Sequence, residues 1–138
     1  MAGEGRKRRI LVVEDEDNIA IALDFLMTRE GYEHDRVANG SEALARIRAM
    51  HPDLVLLDVM LPEVSGYEIC QDVRLDPTLN DVKVLMMTAR GSAIERRKGM
   101  ALGADGFITK PFELKELRDE VRRLLGPGEA EGRPAGAG

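Results

Sequence analysis

The stretch "LVLLDVMLPEVSG", Leu54 to Gly66, decides the reading of this chain. Four consecutive apolar residues, Leu54 to Leu57, lead into a single carboxylate, Asp58, and Pro62 and Gly66 follow within eight residues. An uninterrupted apolar run of this kind reads as a strand covered on both faces, as in a parallel sheet. It closes on a charge that resists burial, so the strand's carboxyl end must open onto something other than core.

The same grammar repeats outward from this point. Ile10 to Val13 is a first strand, ending in Glu14-Asp15. Ile19, Leu23, Leu26 and Met27 then recur at helical spacing until Gly31. Tyr32 to Ala38 is more polar and reads as an edge strand. Asn39-Gly-Ser-Glu42 resembles a capping box before a helix carrying Leu44 and Ile47, closed by Pro52. Downstream of Asp58, Ser65-Gly-Tyr-Glu68 opens a third helix, with Ile69 and Val73 inward. Val82 to Met87 is a fourth strand, Ser92-Ala-Ile-Glu95 caps a fourth helix, and Gly106 to Thr109 is a short fifth strand. Leu114, Leu117, Val121 and Leu124 line one face of the last helix. Strands alternating with helices predict right-handed crossovers and one α/β domain over 10–125, a parallel sheet with helices on both faces. A basic lead, 1–9, precedes it. The Gly/Pro/Ala-rich segment 126–138 reads as a disordered tail.

Bulk properties exclude several classes. The 138 residues are 43% hydrophobic, enough for a core, and the net charge of −5 argues against nucleic acid as the main partner. No apolar run reaches the ~18 residues a membrane span needs. No apolar h-region precedes the first acids, and Cys70 is the one cysteine, so no internal disulfide forms. The expected location is the cytoplasm.

In a parallel sheet the strands' carboxyl ends share one edge, where ligands bind. Those ends carry Glu14-Asp15, Asp58, Thr88 and Lys110. Three carboxylates gathered at one rim repel each other, and a hard divalent cation such as Mg²⁺ relieves them. A metal, a nucleophilic carboxylate, an ammonium and a hydroxyl are the parts needed to receive a phosphoryl group.

The pieces "LVVEDED", "LVLLDVMLPEVSG", "VLMMTAR" and "GADGFITKPF", in this order and each at a strand end, resemble the receiver domain of two-component response regulators. The resemblance implies a flavodoxin-like five-stranded sheet in the order 2-1-3-4-5. It implies Asp58 as phosphoacceptor, served by a histidine kinase or phosphotransfer protein. It also implies Mg²⁺ held by Asp15 and Asp58, with Glu14 assisting through water and the Met60 carbonyl adding an oxygen. Lys110 would pair with the phosphoryl oxygens and Thr88 would hydrogen-bond them. Phe107 takes the switch-aromatic position, where the ring would turn inward and gain burial on phosphorylation, and the Lys110-Pro111 bond would be cis. Such a domain is no enzyme toward other substrates; it catalyses only its own phosphorylation and slow dephosphorylation.

Each residue alone has a bland reading: a solvated loop for Glu14 and Asp15, a turn cap for Asp58, a surface lysine for Lys110. Their joint placement favours the site. His34 and His51 are expected to be exposed, Cys70 partly inward, and Arg6 to Arg9 a solvated run. Met60 and Arg90 lie where relatives tune hydrolysis. The fourth helix has a thin apolar face and is the expected moving part. The expectation is a switch that alters its helix 4–strand 5–helix 5 face to control a partner protein, as a monomer or weak homodimer. The alternatives are a receiver fragment of a longer DNA-binding regulator or a phosphorelay intermediate. Ala101, Leu102 and Glu120 depart from the residues with which winged-helix regulators dimerise. An Asp-nucleophile phosphohydrolase would need a second Asp where Met60 stands, and no Gly-rich phosphate loop follows the first strand.

Overall fold

Four largely apolar segments and one polar one pair as parallel strands in the computed structural model, which describes residues 7–89 and 91–126. They are β1 (Arg9–Val13), β2 (Glu33–Val37), β3 (Leu54–Asp58), β4 (Lys83–Thr88) and β5 (Gly106–Thr109), ordered β2-β1-β3-β4-β5. The connecting helices are α1 (Asp17–Arg29), α2 (Ala43–Met50), α3 (Gly66–Leu75), α4 (Ala93–Ala101) and α5 (Leu114–Leu125). The chain steps out from β1 to β2 and returns past β1 to β3. That reversal places a crevice at the carboxyl ends of β1 and β3.

Burial explains the order. Every residue of β3 is buried, whereas β2 is exposed at alternate positions along an open edge. Leu11, Val55, Leu57, Val84 and Met86 point to one face and pack with Ala43, Ile47, Ile69 and Val73 of α2 and α3. Ile10, Val12, Leu54, Leu56, Leu85 and Met87 point to the other, against Leu23 and Met27 of α1 and Leu117 and Val121 of α5.

Several local expectations change in detail. Asn39 caps a short 3-10 turn, Gly40–Glu42, by accepting from the Ser41 amide. Ser65 accepts from the Tyr67 amide at 3.0 Å, so Glu68 takes no part in a box. Ser92 does accept from the Glu95 amide, but the Glu95 carboxylate turns away to Tyr67 and leaves its box half made. In α5 it is Leu125 that is buried, while Leu124 is only partly covered. His34 is partly covered, bonding Asp24 and Thr28, while His51 is exposed and bonds Asp81. The Lys110-Pro111 bond is cis. Arg6, Arg90 and the tail beyond Gly126 lie outside the described residues.

The ends of α1 and α5 are tied together. Arg122 grips buried Glu30 with two hydrogen bonds, of 2.8 and 3.1 Å, and the Tyr32 hydroxyl donates to the Gly126 carbonyl at 3.0 Å. By contrast α4 buries one residue, Gly99. A Cβ there would lie 2.9 Å from the Met86 sulfur and 3.2 Å from the Phe107 ring. The helix therefore rests on the sheet through backbone, and Ile94 and Met100 stay largely exposed.

Cys70 is fully buried, more so than its position suggested, with Sγ 3.6 Å from the Leu102 carbonyl. Burial pushes the thiol up to about 11, although Arg74 opposes it. The native protein should therefore resist a thiol reagent at pH 8 and react with one equivalent only after unfolding. Native labelling at the rate of a free thiol would contradict this placement.

Candidate functional site

At the crevice the chain sets charged groups directly after apolar strands. Asp58 is the last residue of β3, Glu14 and Asp15 follow β1, Thr88 ends β4, and Lys110 follows β5. The site thus brings together the charged residues expected from sequence. Asp58 is at the mouth of the sheet, yet it is only 3% exposed, and Glu14 is 0% exposed. The expectation that Asp58 escapes burial by its position is therefore corrected: it ends β3 at the rim and is buried there. Asp15 remains exposed.

The buried charges are held by specific contacts. Lys110 Nζ lies 2.8 Å from Glu14 Oε1 and 3.3 Å from Asp58 Oδ2. The Met60 amide donates to Asp58 Oδ1 at 3.1 Å, and the Glu16 amide donates to Glu14 Oε2 at 3.1 Å. Burial raises the Glu14 pKa above the usual carboxylate range, and the nearby Asp58 charge adds to it; the Lys110 hydrogen bond opposes both without cancelling them. Burial pulls Lys110 down, but its bond to Glu14 and the charges of Asp58 and Glu14 outweigh this and hold it above its ordinary value.

Glu14, Asp15 and Asp58 each offer an oxygen within 4.8 Å of the others. Three carboxylates against one ammonium leave a formal charge of −2 at a cluster of hard oxygens. That donor set fits a small divalent cation with one side left to water.

Thr88 is buried, and its carbonyl accepts from the Lys110 amide at 2.7 Å, which ties the β5 loop to β4. Met60 has its side chain half exposed, so it gives the site little shelter. Phe107 stands apart from the carboxylates, opposite Met86 in register and 4% exposed, with the Arg96 guanidinium 5.2 Å above its ring. An outward ring that gains burial on switching was expected. The ring is already packed, because Gly99 leaves space for it under α4.

Two contributors were missed from sequence. Arg36 of β2 donates to the Glu14 carbonyl at 3.0 and 2.8 Å and pairs with Asp17 at 2.9 Å, fixing the loop that carries both acids. A cation in an otherwise polar edge strand was its one signal. Gly66 approaches β3 so closely that a Cβ would strike the Asp58 carbonyl, and its amide donates to the Val59 carbonyl at 3.0 Å.

Comparison with known proteins agrees with this geometry. Residues 10–122 match the model of the response regulator receiver domain. The phosphate regulon transcriptional regulatory protein PhoB of Rhizobium meliloti is 42% identical over 117 residues, which are 85% of this chain and 52% of that protein. The chemotaxis protein CheY4 of Vibrio cholerae superposes with a TM-score of 0.82 at 30% identity, covering 87% of this chain and 100% of that one. The receiver domain of the sensor histidine kinase PA1611 from Pseudomonas aeruginosa, with a magnesium ion coordinated in its active site cleft, gives 0.79 at 26% identity over 88% and 99% of the two chains. The chain spans about half the length of the curated relatives it matches.

Proposed function

The chain belongs to the response regulator receiver domain family, and from that premise we propose that it is a switch thrown by phosphorylation of Asp58. The observation that carries this reading is a buried Asp58 with two further carboxylates within 4.8 Å and Lys110 at 3.3 Å. An Asp58 oxygen attacks the phosphorus of a phosphohistidine on a histidine kinase or phosphotransfer protein. The phosphorus–nitrogen bond breaks as the phosphorus–oxygen bond forms, and the imidazole leaves. The Met60 amide and Lys110 orient the carboxylate, Lys110 neutralises charge on the product, and Thr88 donates to a phosphoryl oxygen. Asp15, Asp58, the Met60 carbonyl and, through water, Glu14 would hold Mg²⁺, which supplies charge neutralisation.

Incubation with Mg²⁺ and acetyl phosphate should add one acid-stable, base-labile phosphoryl group, mapped to Asp58 by fragmentation mass spectrometry. Label on any other residue rejects the assignment. Asp15→Ala should weaken Mg²⁺ binding more than Glu14→Ala, because Lys110 already occupies the Glu14 carboxylate. Equal losses on titrating the two variants would contradict that ranking.

The output passes through α4, β5 and α5 to a partner. The similarity to PhoB over half of that regulator's length favours a receiver serving a transcriptional output over a relay intermediate. Glu120 is engaged within its own helix, 2.8 Å from Arg123, which supports a monomer or weak homodimer.

A further inference from the structure

Tyr67 and α4 meet in a contact that the phosphorylation chemistry does not use. Tyr67 directly follows Gly66, whose backbone abuts the Asp58 carbonyl, so the ring is positioned by the strand end that carries the acceptor. Its hydroxyl donates to the Glu95 carboxylate in the first turn of α4. Lys98, one turn on, places its ammonium 4.4 Å from the Tyr67 ring centroid. These side chains also line a shallow groove of about 560 Å³ that begins at Asp15 and Met60. Elsewhere α4 is gripped weakly: Gly99 alone is buried, and Arg96 reaches the Phe107 carbonyl at 3.4 Å.

From this geometry we infer that Tyr67, Glu95 and Lys98 form a latch that holds α4 in its unphosphorylated position. The latch rests on the proposed switch, in which α4 shifts when Asp58 is modified. It ties α4 to the first turn of α3, while Gly99 and Arg96 of the same helix meet Phe107, so α4 is restrained at two places. Burial and the Glu95 bond push the phenol up to about 12, so the donor keeps its proton at any working pH. A change in the loop after Asp58 moves Tyr67 and strains the bond to Glu95. Opening the latch costs that charged hydrogen bond, and the cost lowers the population of the acceptor-ready state.

Tyr67→Phe removes the hydroxyl and keeps the ring under Lys98. Without any phosphodonor it should raise amide exchange across Ala93–Ala101 about fivefold, and with Mg²⁺ it should tighten beryllium fluoride binding about threefold. A merely structural tyrosine would weaken that binding. Glu95→Gln keeps an acceptor and should show a smaller effect, whereas Glu95→Leu should match Tyr67→Phe and add little to it in the double variant. Glu95→Leu also reads the same contact from α4 if the tyrosine variant loses its fold. Parental α4 exchange that ignores beryllium fluoride would overturn the switch reading and the latch with it. A parent that responds, with Tyr67→Phe and Glu95→Leu indistinguishable from it, would overturn the latch alone.

Discussion

Asp58→Asn should lose all phosphoryl labelling and yet unfold at a higher temperature than the parent in metal-free buffer. Asn offers no carboxylate oxygen to attack phosphorus, and neither neighbour replaces it: Glu14 is paired with Lys110, and Asp15 projects to solvent. The stability gain has a separate cause. Glu14 has a folded-state pKa above its unfolded value, so its ionisation in the fold costs stability. That contribution is intact below the unfolded pKa and is lost as pH rises through the folded one. The Asp58 charge is one of the forces holding the folded value up. Removing it while leaving the Glu14–Lys110 bond in place should return on the order of 1 kcal/mol, roughly 4 °C in Tm for a domain of this size. Thermal melts with EDTA at pH 7.5 read the effect. An unchanged or lower Tm would show that the three acids are not in conflict.

Lys110→Met should do the opposite to stability. Among the described residues the ammonium is the cation that pairs with both Glu14 and Asp58, and its side chain is 13% exposed. A side chain of similar length without charge leaves two buried carboxylates facing each other. Removing one partner of such a cluster costs about 3 kcal/mol. Glu14 then escapes by taking a proton, so its folded pKa rises further. Its contribution is present at low pH and disappears as pH rises, and the deficit of the variant should be small near pH 5 and full near pH 8. Millimolar Mg²⁺ should restore part of it at pH 8. Denaturant titrations at the two pH values check this, and an equal deficit at both would sink the account. Labelling by acetyl phosphate should survive in this variant, slowed, because the acceptor oxygen remains. The response of α4 to the label should be lost, because Lys110 ties the β5 loop to the product.

The parallel sheet and the rim of acids were legible because both depend on local pattern. Apolar runs such as Leu54 to Leu57 have one reading, and a sheet with parallel strands must collect their terminal residues on one edge. What escaped depends on which of several partners a side chain chooses. Ser92 and Glu95 carry the spacing of a capping box, but the Tyr67 phenol, 28 residues away, won the carboxylate. Phe107 could not be placed from its own strand, because its burial depends on Gly99 lacking a side chain. Arg36 left only a faint signal for a similar reason: its target is a backbone carbonyl, which no residue pattern advertises. The depth of Asp58 was misjudged because a strand end was equated with a surface, whereas the Met60 amide after β3 and Lys110 after β5 reach its carboxylate and it is buried.

The clasp of Arg122 on Glu30 and of Tyr32 on Gly126 fixes the address from which the polypeptide departs. Helices in this arrangement run against the strands, so α5 ends at the edge of the sheet opposite Asp58. Twelve helical residues at 1.5 Å each separate the two edges by about 18 Å. Cargo fused after residue 126 therefore hangs from the far pole of the domain, out of the way of an incoming phosphodonor. A fluorophore or purification handle placed there should leave phosphoryl uptake untouched. For the same reason, anything suspended from that pole feels the chemistry only as a reorientation of its mooring.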